Sequence, residues 1–234
     1  MIRIRPRPFT AYISGGRSVL ATTLDGLADG GPDHGLFVHE TRLLSLWRYC
    51  LDRDPPSPNA LSPVRQNQWL GYYVAPAPGV PPPPADDGSG QVPAASQQTL
   101  ELRVMRTIDG GLHEDIDLTN YANAQSSFVF LIECDADFAD QSETRERRQR
   151  GALETEWNAQ AQRLTFDYVN GVVHRAAEVR IDADTQARFA YGQLLFDSPS
   201  NRGSDGMPAF ASTRSSRRRV STRPSIARST VRRW

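Results

Sequence analysis

Two short clusters in this 234-residue sequence hold side chains that could do chemistry. His39-Glu40-Thr41-Arg42 sets an imidazole beside a carboxylate, a pairing suited to general acid and base work, with an arginine close behind. The same residues also read as a loop-to-strand corner in which Glu40 and Arg42 pair with their neighbours. Asp135, Asp137 and Asp140, in the run DADFAD, put three carboxylates at a strand end. Their oxygens could take Ca²⁺ or bond to sugar hydroxyls, but the glycine and closing glutamate of a calcium loop are missing. A structural role fits better, with these acids holding the basic run Arg145–Arg150. Trp69, Tyr72 and Tyr73 could form a sugar-stacking platform, although strand aromatics more often fill a core. Asp115 and Asp117 share one strand face, as on any solvated face. The four histidines, His34, His39, His113 and His174, show no metal-ligand spacing with a cysteine or with one another. There is no GxSxG, Walker-type or GxGxxG motif. The residues therefore assign no catalytic group, no metal and no cofactor.

The elements that must position these groups are strands. From Thr99 to Ile108, Leu100, Leu102, Val104 and Ile108 point one way and Glu101, Arg103 and Thr107 the other. Asp109-Gly110-Gly111 supplies a tight hairpin turn, and Ile116 and Leu118 continue the inward face. After the turn NYANAQ, Ser127–Glu133 is apolar on both faces and should be a central strand covered twice. Ser18–Thr23, Leu43–Leu51 (a strand of about nine residues) and Trp69–Ala75 read as strands upstream. Downstream come Arg163–Val169, Val172–Ile181 after an Asn170-Gly171 turn, and Ala187–Phe196. The proline-rich Asp52–Ser62 reads as a loop without regular pairing, and 76–95 as a proline-rich linker loop. A small helix is expected near Asp140–Arg148. Short strands with turn punctuation predict an all-β fold, a large antiparallel β-sandwich over residues 10–196.

Formal net charge is zero, yet residues 201–234 hold nine arginines against one acid, Asp205, and no lysine occurs anywhere. The segment 197–234 reads as a disordered Arg/Ser-rich tail. Its composition matches out-of-frame translation of GC-rich DNA, which makes frame loss after Phe196 the favoured reading of it. The other reading is a basic tail that contacts nucleic acid; without interleaved aromatics this has little support. Cys50 and Cys134 fall inside strands and read as buried free thiols. No apolar run is long enough to span a membrane and no signal-peptide core precedes the first strand, so a cytoplasmic, membrane-free location is expected.

Three segments together resemble the N-terminal domain of bacterial glycogen-debranching (amylo-α-1,6-glucosidase) proteins. They are GLFVHETRLLSLWRYCLD, the stretch TLELRVMRTIDGGLHEDIDLTNYANAQSSFVFLIECDADFADQSETRERRQRG, and LTFDYVNGVVHRAAEVRI. Glu40 stands where that family usually has Asp. The resemblance implies a β-sandwich preceding an (α/α)₆ barrel that carries the glycosidase carboxylates. It implies an accessory, truncated domain that contacts such a barrel and is inactive alone, with α-glucan as the ligand class. His39, Glu40 and Arg42 would then form a cleft-facing corner. The alternative is a free-standing glucan-binding module using Trp69, Tyr72 and Tyr73.

Overall fold

The computed structural model describes residues 10–52, 54–76, 100–121, 127–146, 151–182 and 186–197. The proline-rich segment expected over 76–95, the turn NYANAQ and the tail 197–234 lie almost wholly outside the described residues.

Nearly everything described is antiparallel β-structure, as the alternating pattern requires. The strands form four small sheets in a propeller-like arrangement, not the two broad layers of a sandwich. The first sheet orders β1 (Thr10–Gly15), β2 (Ser18–Thr23), β4 (Gly35–Val38) and β5 (Thr41–Leu44). The second runs β10 (Leu112–Asn120), β9 (Leu100–Ile108), β8 (Gln68–Ala75) and β7 (Ser57–Arg65). The third, five-stranded, runs β15 (Ala187–Ala190), β16 (Gln193–Asp197), β11 (Val129–Asp135), β6 (Leu46–Leu51) and β3 (Ala28–Asp29). The last comprises β12 (Ala152–Asn158), β13 (Arg163–Asn170) and β14 (Val173–Arg180). One short helix, α1, spans Glu143–Glu146. The sheets share one core, to which Leu20, Trp47, Tyr49, Val104, Ile132, Phe166 and Phe196 contribute. No helix among the described residues is long and apolar enough to cross a membrane.

Four sequence expectations about single elements change, the first being Ala187–Phe196, which is not one strand but the hairpin of β15 and β16. Leu43–Leu51 is not one strand. It breaks at Ser45, whose N–H donates to the Asp135 carbonyl at 2.9 Å and whose carbonyl accepts from Gly30 at 3.1 Å. The chain thereby leaves one sheet as β5 and enters another as β6. Much of the expected Asp52–Ser62 loop is strand β7 in spite of its prolines. β7 lies at a sheet edge, where a missing N–H on the outer side costs nothing, and its register shifts beside Pro58 and Pro63. β11 is central, between β16 and β6, but only one of its faces meets the core. The other, through Leu131 with Cys50 and Leu195, floors a shallow depression rimmed by Asp52 and Glu133.

Candidate functional site

The fold brings the two sequence clusters together. Beyond β11, residues 135–140 run beside the free edge of β5: the Arg42 N–H donates to the Ala139 carbonyl at 2.8 Å, and Thr41 bridges Asp140. Arg42 then reaches under this segment. Its Nε donates to Asp137 Oδ1 and Oδ2 at 3.2 and 3.1 Å, and its second terminal nitrogen, Nη2, also donates to Asp137. Nη1 donates to the carbonyls of Gly31 at 2.7 Å and His34 at 3.1 Å. The arginine is buried, and Gly35, at φ 141°, makes its path possible. A Cβ there would meet the Leu44 carbonyl oxygen at 2.5 Å and Arg42 Cδ at 2.6 Å.

Each carboxylate of DADFAD thus has work that is not catalytic. Asp137 anchors Arg42. Asp140 Oδ1 accepts from Ser142 and Glu143 N–H groups, both at 3.0 Å, while Glu143 Oε2 accepts from the Asp140 N–H at 3.1 Å, a reciprocal cap on α1. Asp135 accepts from Ala136 N–H at 2.8 Å. Burial pushes the Asp135 carboxyl up, and neighbouring Asp137 adds to this against the opposing pull of the Ala136 hydrogen bond. On the facing loop, His34 Nδ1 lies 2.6 Å from Asp29 Oδ1, which also accepts from Gly31 N–H at 2.9 Å. Burial would raise the Asp29 carboxyl, but these hydrogen bonds outweigh it and the group sits below its ordinary range. Among the described residues Asp137 is held by Arg42, while most of the basic run Arg145–Arg150 expected to hold these acids falls outside them. Residues 147–150 lie outside the described part.

A second charge centre is fully enclosed. Arg106 on β9 and Glu114 on β10 stand directly opposite each other in the hairpin register and both face the core. Arg106 Nε donates to Glu114 Oε1 at 2.5 Å. Tyr49 Oη donates to the same oxygen at 2.5 Å and accepts from Arg106 Nη2 at 2.5 Å, and Trp47 Nε1 donates to Glu114 Oε2 at 2.7 Å. The Gly26 carbonyl accepts from Arg106 Nη1. The guanidinium also lies over the Trp69 ring, 4.6 Å from its centroid. Burial disfavours the charge on Arg106, yet the oxygens of Tyr49 and Glu114 outweigh it and hold the guanidinium protonated. A buried charge pair this completely hydrogen-bonded fixes which strands face which; it offers no group to a substrate.

A family model for the N-terminal domain of some glycogen debranching enzymes matches residues 13–199, most of the chain. The chain belongs to that family. Among curated proteins, none matches it.

Within this debranching-enzyme N-terminal domain, the expected site residues separate into three groups. His39 and Glu40 are exposed at the turn between β4 and β5, with His39 in the left-handed region at φ 55°. Arg42 points the other way, into the buried tie to Asp137. Trp69 and Tyr73 are 4% and 1% exposed and cannot stack on a sugar; they face the core around Arg106, and Tyr73 Oη donates to the Asp25 carbonyl at 2.6 Å. Burial drives the Tyr73 hydroxyl well above its ordinary range. Tyr72, one residue away, necessarily lies on the opposite, outer face of β8 and is half-buried there. Sequence reasoning missed Arg106 and Glu114. The signal was their parity, since both occupy positions in phase with the inward Leu100, Leu102, Val104 and Ile116.

Cys50 and Cys134 are free and buried, and burial pushes the Cys134 thiol up to about 12. Among the described residues, no group of three or more His, Cys, Asp and Glu side chains could hold a metal.

Proposed function

We propose that this chain serves as the accessory, non-catalytic N-terminal domain of an α-1,6-glucan debranching system. It would work beside an (α/α)₆ domain that carries the glycosidase carboxylates, and be inactive without it. The family match over residues 13–199 carries this reading. The chemistry of the acids supports it: glycosidic hydrolysis needs two carboxyl groups flanking the bond, one of them free to donate a proton. Here Asp137 is bound by Arg42, Asp140 caps a helix and Glu114 is sealed in the core. On this reading the exposed turn at His39 and Glu40 is the corner offered to the catalytic domain, held at its height by Arg42 beneath it. The protein would act in the cytoplasm on stored glucan.

The test is a debranching assay on a branched α-glucan, with the purified chain alone and then mixed with a separately produced catalytic domain of the same family. The chain alone should release no glucose from α-1,6 branch points, and adding it should raise the turnover or stability of the catalytic domain. Glucose release by the chain alone would overturn the non-catalytic reading, and a catalytic domain unaffected by it would overturn the accessory one.

A further inference from the structure

The outer face of the four-stranded sheet carries one cross-strand row unlike its neighbours. Register aligns Ala60 on β7, Tyr72 on β8, Arg103 on β9 and Asp117 on β10. Ala60 is small, exposed and at the sheet edge, so β7 sets only a methyl group opposite Tyr72 in this row. On the other side Arg103 Nη1 donates to Asp117 Oδ2 at 2.9 Å, with the two side chains 39% and 22% exposed. The row therefore presents, in order, a phenol ring, a planar set of donors and a carboxylate acceptor. Adjacent strands stand about 4.8 Å apart, so Tyr72 and Asp117 are roughly 10 Å apart across the sheet, enough for two sugar rings side by side. The surrounding face is mixed. Leu70 and Val74 flank Tyr72 along β8 and Leu70 pairs with Met105 on β9, while Gln68, Glu101, Thr107 and Thr119 make the rest of the face polar.

We propose that the Tyr72–Arg103–Asp117 row binds an α-linked glucan chain, with one sugar ring stacked on Tyr72 and the hydroxyls of the next bonded by Arg103 and Asp117. The inference rests on the debranching reading for its ligand class and on the cross-strand register for its place. It replaces the Trp69/Tyr72/Tyr73 platform with a site in which only Tyr72 is a stacking residue. A neutral, hydroxyl-rich ligand suits the row because the ion pair brings no net charge, and each of its members retains solvent-facing atoms.

The experiment is calorimetric titration of the full chain with maltoheptaose, with a β-linked glucan oligomer as control. Wild type should bind maltoheptaose and not the β-linked oligomer. Tyr72→Ala should raise Kd about tenfold, the loss of one aromatic contact, and Tyr72→Phe should stay within about twofold. Arg103→Gln should also weaken binding. Tyr72 projects away from the core, so Tyr72→Ala should still unfold in one cooperative thermal transition; this check separates a lost contact from a lost fold. Unchanged affinity in Tyr72→Ala, or no maltoheptaose binding by wild type at millimolar sugar, overturns the site. If such a wild type still assists the catalytic domain in the debranching assay, the site fails while the accessory role stands. If Tyr72→Ala weakens that assistance but leaves sugar binding intact, the face belongs to the partner domain and the sugar site is wrong.

Discussion

Replacing Glu114 by Gln tests whether the enclosed charge centre holds the fold in its register. The carboxylate is 0% exposed and accepts from Trp47, Tyr49 and Arg106. Gln keeps the shape but withdraws the negative charge, and its NH₂ group must face one of these donors in either orientation. Arg106, 1% exposed, is left as an uncompensated buried cation. Breaking a buried pair in this way costs about 3–5 kcal/mol, a large share of the roughly 5–15 kcal/mol available to a folded domain. With a urea slope near 2 kcal/mol/M, the unfolding midpoint should fall by about 1.5–2.5 M. Adding Arg106→Met removes the stranded cation, so the double variant should be more stable than the sum of the single losses by about 1–3 kcal/mol. Equilibrium urea unfolding followed by tryptophan fluorescence reads both, since Trp47 and Trp69 line the centre. A midpoint shift under about 0.5 M for Glu114→Gln, or strict additivity in the double variant, would refute the reasoning.

Two further outcomes follow from the acidic loop. Arg42→Lys should cost about 2–3 kcal/mol, less than the Glu114 change because Asp137 keeps some solvent contact, and a wild-type thermal midpoint would disprove it; an ammonium cannot span Asp137 and two carbonyls at once. Asp135→Asn should raise the thermal midpoint at pH 7. The Asp135 carboxyl is raised in the folded state above its ordinary 3.8, so its contribution to stability is full at low pH and falls as pH rises through the raised value. The gain from Asn should therefore shrink on going from pH 7 to pH 3, and a gain that grew on acidification would contradict the assignment.

Much of the fold was legible because alternation is a local signal. The β9–β10 hairpin with its Asp109-Gly110-Gly111 turn, β2, β8 and the Asn170-Gly171 hairpin of β13 and β14 all lie where the pattern puts them. The number of sheets was not legible, because a strand that changes sheets at Ser45 keeps its alternation while its partners change. β7 was hidden by prolines that an edge tolerates and a centre does not. For the site, DADFAD and His39–Arg42 were identifiable as clusters, but their meeting was not, since Arg42 and Asp137 are 95 residues apart. The Arg106–Glu114 pair was hidden by the habit of assigning charged residues to the outer face. The parity of the strand should have outranked that habit.

The position of β11 has a consequence for how this chain is made. Its partners on either side are β6, synthesised before it, and β16, whose last residue is Asp197. Between the end of β11 and the start of β16 lie more than fifty residues, which a ribosome delivers over roughly 3–12 s. For that interval this largely apolar strand offers an open row of amides and carbonyls to anything nearby, because Leu194 and Phe196 are not yet there to pair and cover it. A holdase that recognises extended apolar segments would meet the nascent chain at β11. Any chain that stops short of β16 would carry that open edge permanently.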